Sequence, residues 1–184
     1  MRIIAGEKRS RRIDAPEGQE TRPTADRIKE ALFSMLQMRV PGARVLDLYA
    51  GSGALSLEAL SRGAAYAVLV DVSFKAGKVI RKNIETLSYQ QKTRFINAED
   101  MRAIALLEGE GERFDLIFLD PPYRMDTKNT CERLALKLLN DGGMIVCEHD
   151  KKTPPETPEG MHLFDRREYG MTGLSFYVKT EAEA

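Results

Sequence analysis

The sequence predicts an α/β protein: a mostly parallel sheet with helices on both faces, closed by an antiparallel hairpin at the C-terminus. Three observations carry that prediction. Short apolar runs that read as buried strands alternate with segments of helical apolar spacing about five times, and two further strand-like segments follow. Asp47, Asp71, Asp100 and Asp120 fall at or just past the carboxyl ends of successive runs. A glycine-rich turn, Gly51-Ser52-Gly53, separates the first run from the helix after it. Open parallel sheets bind ligands beyond the carboxyl ends of their strands, so one end of this sheet is expected to be the working end.

The elements justify themselves in order. Residues 1–12 form a basic arm, with Arg2, Lys8, Arg9, Arg11 and Arg12 against Glu7 and a glycine hinge at Gly6. Such an arm suits phosphate binding; a frayed, solvated end is the plainer alternative. Thr24 reads as an N-cap, and Ile28, Ala31, Leu32, Met35 and Leu36 recur at helical spacing until Pro41-Gly42. The run from Val45 to Leu48 turns through the glycines into a helix that Gly63 closes. Residues 65–70 form the second strand, and a helix spans about 73–86. Residues 93–96 are the third strand and 102–107 a helix. Residues 114–119 are the fourth strand, and a helix follows at about 128–139. Strand 144–147, a loop over 151–160 and a hairpin around Gly170–Gly173 complete the chain. Residues 1–40 are expected to pack as an arm and helix on a single globular unit, 41–184.

Composition narrows the classes. A chain of 184 residues with 42% hydrophobic and 30% charged residues suits one soluble domain with a real core. No apolar run approaches the ~20 residues needed to span a bilayer, and the first residues form no secretory signal. Cys131 and Cys147 stand alone without metal-binding or redox spacing, which suits a reducing cytoplasm. The formal net charge is zero, so any grip on nucleic acid must come from local charge.

The chemistry gathers at the strand ends. Asp47-x-x-x-Gly51-x-Gly53 is neither a dinucleotide fingerprint, since Ser stands at 56, nor a phosphate loop. An acid beside such a turn suits an amine-bearing, cationic nucleoside better than a pyrophosphate. Asp71, 18 residues after Gly53, stands near the offset of ribose-binding acids, or it caps the next helix. Asp100 or Glu99 can hydrogen-bond an adenine amino group. Asp120-Pro121-Pro122-Tyr123 ends the fourth run. Its prolines lack N–H donors and leave carbonyls as acceptors, Asp120 adds a carboxylate, and Tyr123 offers a flat face. Together they can hold a planar group bearing –NH2.

These motifs resemble those of class I S-adenosylmethionine-dependent methyltransferases, and the Asp-Pro-Pro-Tyr ending resembles that of enzymes acting on exocyclic amines of nucleobases. Residues 2–6, 21–33 and 169–176 are similar to the RsmD family of bacterial 16S ribosomal RNA guanine-N2 methyltransferases. The resemblance implies a seven-stranded Rossmann-like sheet. It implies S-adenosylmethionine held by Asp47, Ala50, Gly51, Gly53, Asp71, Asp100 and Met101, with Arg22 and Thr24 beside it. It also implies catalysis by Asp120, Pro121 and Tyr123 without a metal. The RNA contacts would be Arg2, Lys8, Arg9, Arg11, Arg12 and Arg22. The expected partner is 16S ribosomal RNA, free or in a partly assembled small subunit, and the expected state is a cytoplasmic monomer. Ser10 stands where that family commonly has glycine. Two rival readings are a DNA methyltransferase acting on adenine N6 or cytosine N4, and a non-catalytic RNA-binding assembly factor.

Overall fold

The computed structural model describes residues 1–16, 23–121 and 128–180, apart from the side chains of residues 23–25. The chain divides into two compact units, Met1–Asp100 and Met101–Ala184.

In the first unit, α1 (Pro23–Met35) precedes β1 (Arg44–Asp47), α2 (Ala54–Ser61), β2 (Tyr66–Val70), α3 (Phe74–Leu87), a 3₁₀ turn (Gln90–Lys92) and β3 (Thr93–Ile96). The three strands are parallel in the order β3-β2-β1, with Val45 beside Ala67 and Leu69 beside Phe95. Val45, Leu46, Val68, Leu69 and Val70 are fully buried, as a parallel strand covered on both faces requires. α3 buries Ala76, Ile80, Ile84 and Leu87, one stripe at helical spacing. Its N-cap is Ser73, whose hydroxyl accepts the Ala76 N–H at 3.3 Å. α1 starts at Pro23 rather than after a Thr24 cap; proline fits the first turn because its missing N–H would have no partner there.

α4 (Asp100–Gly109) starts on the last residue of the first unit, and β4 (Phe114–Leu119), α5 (Lys128–Lys137), β5 (Leu139–Asp150), β6 (Met161–Tyr169) and β7 (Thr172–Lys179) follow in the second. The strand order is β4-β5-β7-β6; β4 and β5 are parallel, and β7 is antiparallel to both its neighbours. β5 is longer than expected because Asp141-Gly142-Gly143 continues the strand instead of leading into it. The described residues thus hold seven strands, mostly parallel, ending in the expected antiparallel hairpin. Phe114, Ile117, Phe118, Ile145 and Phe176 are buried; each contributes about 1.5–3 kcal/mol relative to exposure. His149 meets Ser175 at 2.8 Å, and Ser175 also accepts from Arg166 Nε at 2.9 Å. With Ser175 wholly buried, this is a satisfied polar knot and not a nucleophile. No helix among the described residues is long and apolar enough to cross a membrane.

The arm is not frayed. It folds back on itself, Ile3 N–H to Arg11 O at 2.9 Å and Ser10 N–H to Ile3 O at 2.9 Å, and it buries Ile3 and Ile13. The carboxylate of Glu58, wholly buried on α2, accepts the N–H groups of Ile4 and Ala5 at 2.8 and 3.0 Å. Lys29 and Arg62 pair with the same carboxylate at 3.4 and 2.8 Å, so the buried charge is compensated. Burial lowers the pKa of Lys29, and Glu58 opposes that shift. Gly6 is no hinge: at φ +83° it lies against the Ser61 backbone, and an added Cβ would sit 1.8 Å from Ser61 O. Ser10 takes φ 69°, the left-handed region that glycine occupies more easily.

Candidate active site

In the first unit the working end is built around the β1–α2 turn. Ala50 N–H donates to Val70 O at 2.9 Å and Gly53 N–H to Ala50 O at 2.6 Å, which pins the turn to β2. The two glycines do different jobs. Gly53, at φ +80°, is the N-cap of α2, and an added Cβ would lie 2.9 Å from Leu69 Cδ2, so its role is close packing. Gly51, at φ +56°, has open space where a Cβ would point, so its backbone is approachable by a ligand.

The acids take distinct places. Asp47, the last residue of β1, is buried and accepts from Ser56 Oγ at 3.1 Å. Asp71 follows β2 and ties the turn together: Oδ2 accepts the Gly51 N–H at 2.8 Å and Oδ1 the Ser73 N–H at 2.8 Å. It is therefore not the α3 cap. A carboxylate offers about four acceptor directions, which leaves room for ribose hydroxyls beside these two bonds. Asp100 opens α4 and accepts from Tyr49 Oη at 2.6 Å. Glu99 is exposed, whereas Asp100 is half-buried. Asn97 Nδ2 donates to Asp71 O at 2.7 Å. Met101 is exposed. Tyr49 and Asn97 were not anticipated as parts of this end. Asn97 directly follows β3 and Tyr49 stands two residues past β1, the kind of position that marked the acids. The donor set fits S-adenosylmethionine: acids for a cationic amino acid and for hydroxyls, and an open backbone at Gly51.

In the second unit Asp120 follows β4, and Leu119 pairs with Cys147 on the parallel β5. Asp120, the residue after β4, lies close enough to Glu148 of β5 for the charge of one to act on the other. Pro121 is buried. Asp120 is exposed as a residue, yet protein crowds its carboxylate, and this desolvation pushes its pKa up to about 6. Desolvation, then the Asp120 charge, pushes Glu148 up to about 8. Two like charges on adjacent strands resist joint ionisation, so near neutrality the pair carries close to one negative charge. Glu148 was legible only in retrospect, as an acid directly after the apolar run 144–147 in a strand parallel to the one ending at Asp120. Tyr123 and Arg22 lie outside the described residues, as does the side chain of Thr24.

The arm presents Arg2, Arg9, Arg11 and Arg12 to solvent. Arg2 Nε stands 3.8 Å from Asp26, Arg11 donates to Thr86 O at 3.4 Å, and Lys8 Nζ lies 5.6 Å from the Tyr89 ring centre.

Comparison with solved structures gives the class. The Escherichia coli protein yhhF matches with TM-score 0.85 at 31% identity, covering 97% of each chain. The Thermus thermophilus protein TTHA0928 matches with TM-score 0.82 at 31% identity, covering 96% of this chain and 98% of that one. Fold and relatives together make this a Rossmann-like methyltransferase. A family model described as "Conserved hypothetical protein 95" matches residues 1–178. The ribosomal RNA small subunit methyltransferase D of Escherichia coli is 37% identical over 148 residues, 80% of this chain and 71% of that protein. Its namesake from Haemophilus influenzae is 31% identical, covering 96% and 93%. The chain belongs to this family, the RsmD family.

Proposed function

We propose that this protein transfers a methyl group from S-adenosylmethionine to the exocyclic N2 amine of a guanine in 16S ribosomal RNA. The observation that carries the reading is the placement of Asp120 directly off β4, backed by Glu148, where a carboxylate can meet an amine. The names of the relatives in Escherichia coli and Haemophilus influenzae support ribosomal RNA as the substrate. Residues 1–40 serve as the arm and helix that grip RNA, and 41–184 as the part that binds the cofactor and transfers the methyl.

When bound, the cofactor supplies an electrophilic methyl on a sulfonium and is left as S-adenosylhomocysteine. Asp47 would face its amino-acid end, Ala50 and the open backbone at Gly51 would let it approach the turn that Gly53 packs in place, Asp71 would take ribose hydroxyls, and Asp100 and Met101 would contact the adenine, with Arg22 and Thr24 as further cofactor contacts. Guanine N2 is a weak nucleophile because its lone pair is delocalised into the ring. The Asp120 carboxylate and Pro121 carbonyl accept hydrogen bonds from the amine, favour a pyramidal nitrogen and orient its lone pair. As the N–C bond forms, the nitrogen loses one proton, which the Asp120 carboxylate receives. Tyr123 stacks on the base, an interaction of roughly 1–3 kcal/mol. The protein works in the cytoplasm as a monomer, on 16S RNA free or in a partly assembled small subunit.

The test is to incubate the protein with labelled cofactor and unmodified small-subunit particles, then map the modified base. The expected result is one N2-methylguanine in 16S RNA. Label on adenine or cytosine, or transfer to DNA alone, would overturn the reading.

A further inference from the structure

The chain is neutral overall, yet two of its segments are not. Residues 2–14 and 74–87 together hold nine Lys and Arg against three acids, a net charge of +6 in a protein whose total is zero. These segments touch. Asp14 N–H donates to Asn83 Oδ1 at 2.8 Å, Asn83 Nδ2 returns a bond to Asp14 O at 2.9 Å, and Lys82 pairs with Asp14. The Arg11 bond to Thr86 O and the approach of Lys8 to Tyr89 extend the seam to the end of α3.

Along α3, Lys75, Lys78, Arg81 and Lys82 are exposed, with Glu85 as the acid of the same helix. Two of these cations sit on rings: Lys78 Nζ lies 4.9 Å from the centre of Phe74 and Arg81 4.7 Å from that of Phe95. Phe74 is 65% exposed, one of several large apolar side chains at the surface, and it stands among the cations of this helix. A helix of 14 residues gives this face a length of about 21 Å. The bland reading is a solvated helix face. It does not account for a neutral chain concentrating its positive charge where an ordered arm adds more.

We propose that the exposed face of α3, with Lys75, Lys78, Arg81 and the ring of Phe74, is a second RNA-binding surface continuous with the arm. Single-stranded RNA is the partner that this chemistry fits: cations follow the phosphates, and an exposed ring stacks on a base whatever its identity. Lys82 is engaged by Asp14 and serves to hold the arm. The proposal rests on the reading of this protein as an RNA methyltransferase.

The experiment measures binding of the full chain to an unmodified 16S RNA transcript across a salt series. It compares the wild type with Lys75→Ala/Lys78→Ala/Arg81→Ala and with Phe74→Ala. Titration with S-adenosylhomocysteine checks that the triple variant is folded. Each phosphate contact on single-stranded RNA contributes about 0.7 to the slope of log K against log salt, so the triple variant should lose about two units of slope. Phe74→Ala should weaken binding roughly 5- to 150-fold with the slope unchanged. A folded triple variant with the wild-type slope and affinity would overturn the α3 surface and leave the RNA reading intact. Wild-type protein with no salt-dependent affinity for either the transcript or unmodified small-subunit particles would overturn both.

Discussion

The two units carry opposite charge and treat their buried charges in opposite ways. Residues 1–100 hold 17 Lys and Arg against 12 Asp and Glu, a net +5, whereas residues 101–184 hold 11 against 16, a net −5. In the first unit the most deeply buried acid, Glu58, is compensated on every side by Lys29, Arg62 and two backbone N–H groups. In the second, Asp120 and Glu148 stand side by side, and the charge of one raises the pKa of the other. Paired burial holds a structure together. Like charges crowded on neighbouring strands cost stability and persist where chemistry needs a perturbed acid. The difference separates a scaffold that orders a basic arm from the strand end where the amine is proposed to be held.

Breaking the compensated side should have the largest effect. Glu58→Ala leaves Lys29 buried without its partner and frees the arm, and is expected to cost roughly 3–5 kcal/mol of unfolding free energy in a denaturant titration. A loss under 1 kcal/mol would mean that the cluster is a surface decoration and not an anchor.

Relieving the crowded side should have a smaller effect of opposite sign. Glu148 binds its proton more tightly folded than unfolded. Its contribution is therefore fully present below the ordinary glutamate range and lost as pH rises through about 8. Glu148→Gln removes that loss, so its stability relative to wild type should grow between pH 6 and 9, by on the order of 1–2 kcal/mol. Thermal melts at pH 6, 7.5 and 9 measure this; a constant difference would contradict the raised pKa of Glu148.

Much of this could be read in the sequence, for identifiable reasons. Asp71, Gly51, Gly53 and Asp120 are marked by position alone, because strand ends and tight turns are local features. The order of the arm was harder to see. Its hydrogen bonds go to Glu58 and Ser61, more than 50 residues away. The one charged residue in the run Ala54–Leu60, Glu58, was the available hint that something buried would pair with it. The Tyr49–Asp100 bond and the Asp120–Glu148 pair depend on which strand lies beside which, and no local pattern encodes that. Ser10 shows the converse: its left-handed backbone conforms to what a glycine would give, so the arm keeps its turn despite the side chain.

The central claim is that cofactor binding and amine activation are separate duties, the first resting on Asp71 and the second on Asp120. It is tested most directly by titrating Asp71→Ala and Asp120→Ala with S-adenosylhomocysteine and measuring single-turnover methyl transfer to unmodified small-subunit particles with each. Asp120→Ala should keep near-wild-type affinity for S-adenosylhomocysteine while its rate falls on the order of 10²–10³-fold, and Asp71→Ala should lose affinity first. Unchanged turnover in Asp120→Ala, or equal loss of affinity in both variants, would contradict it.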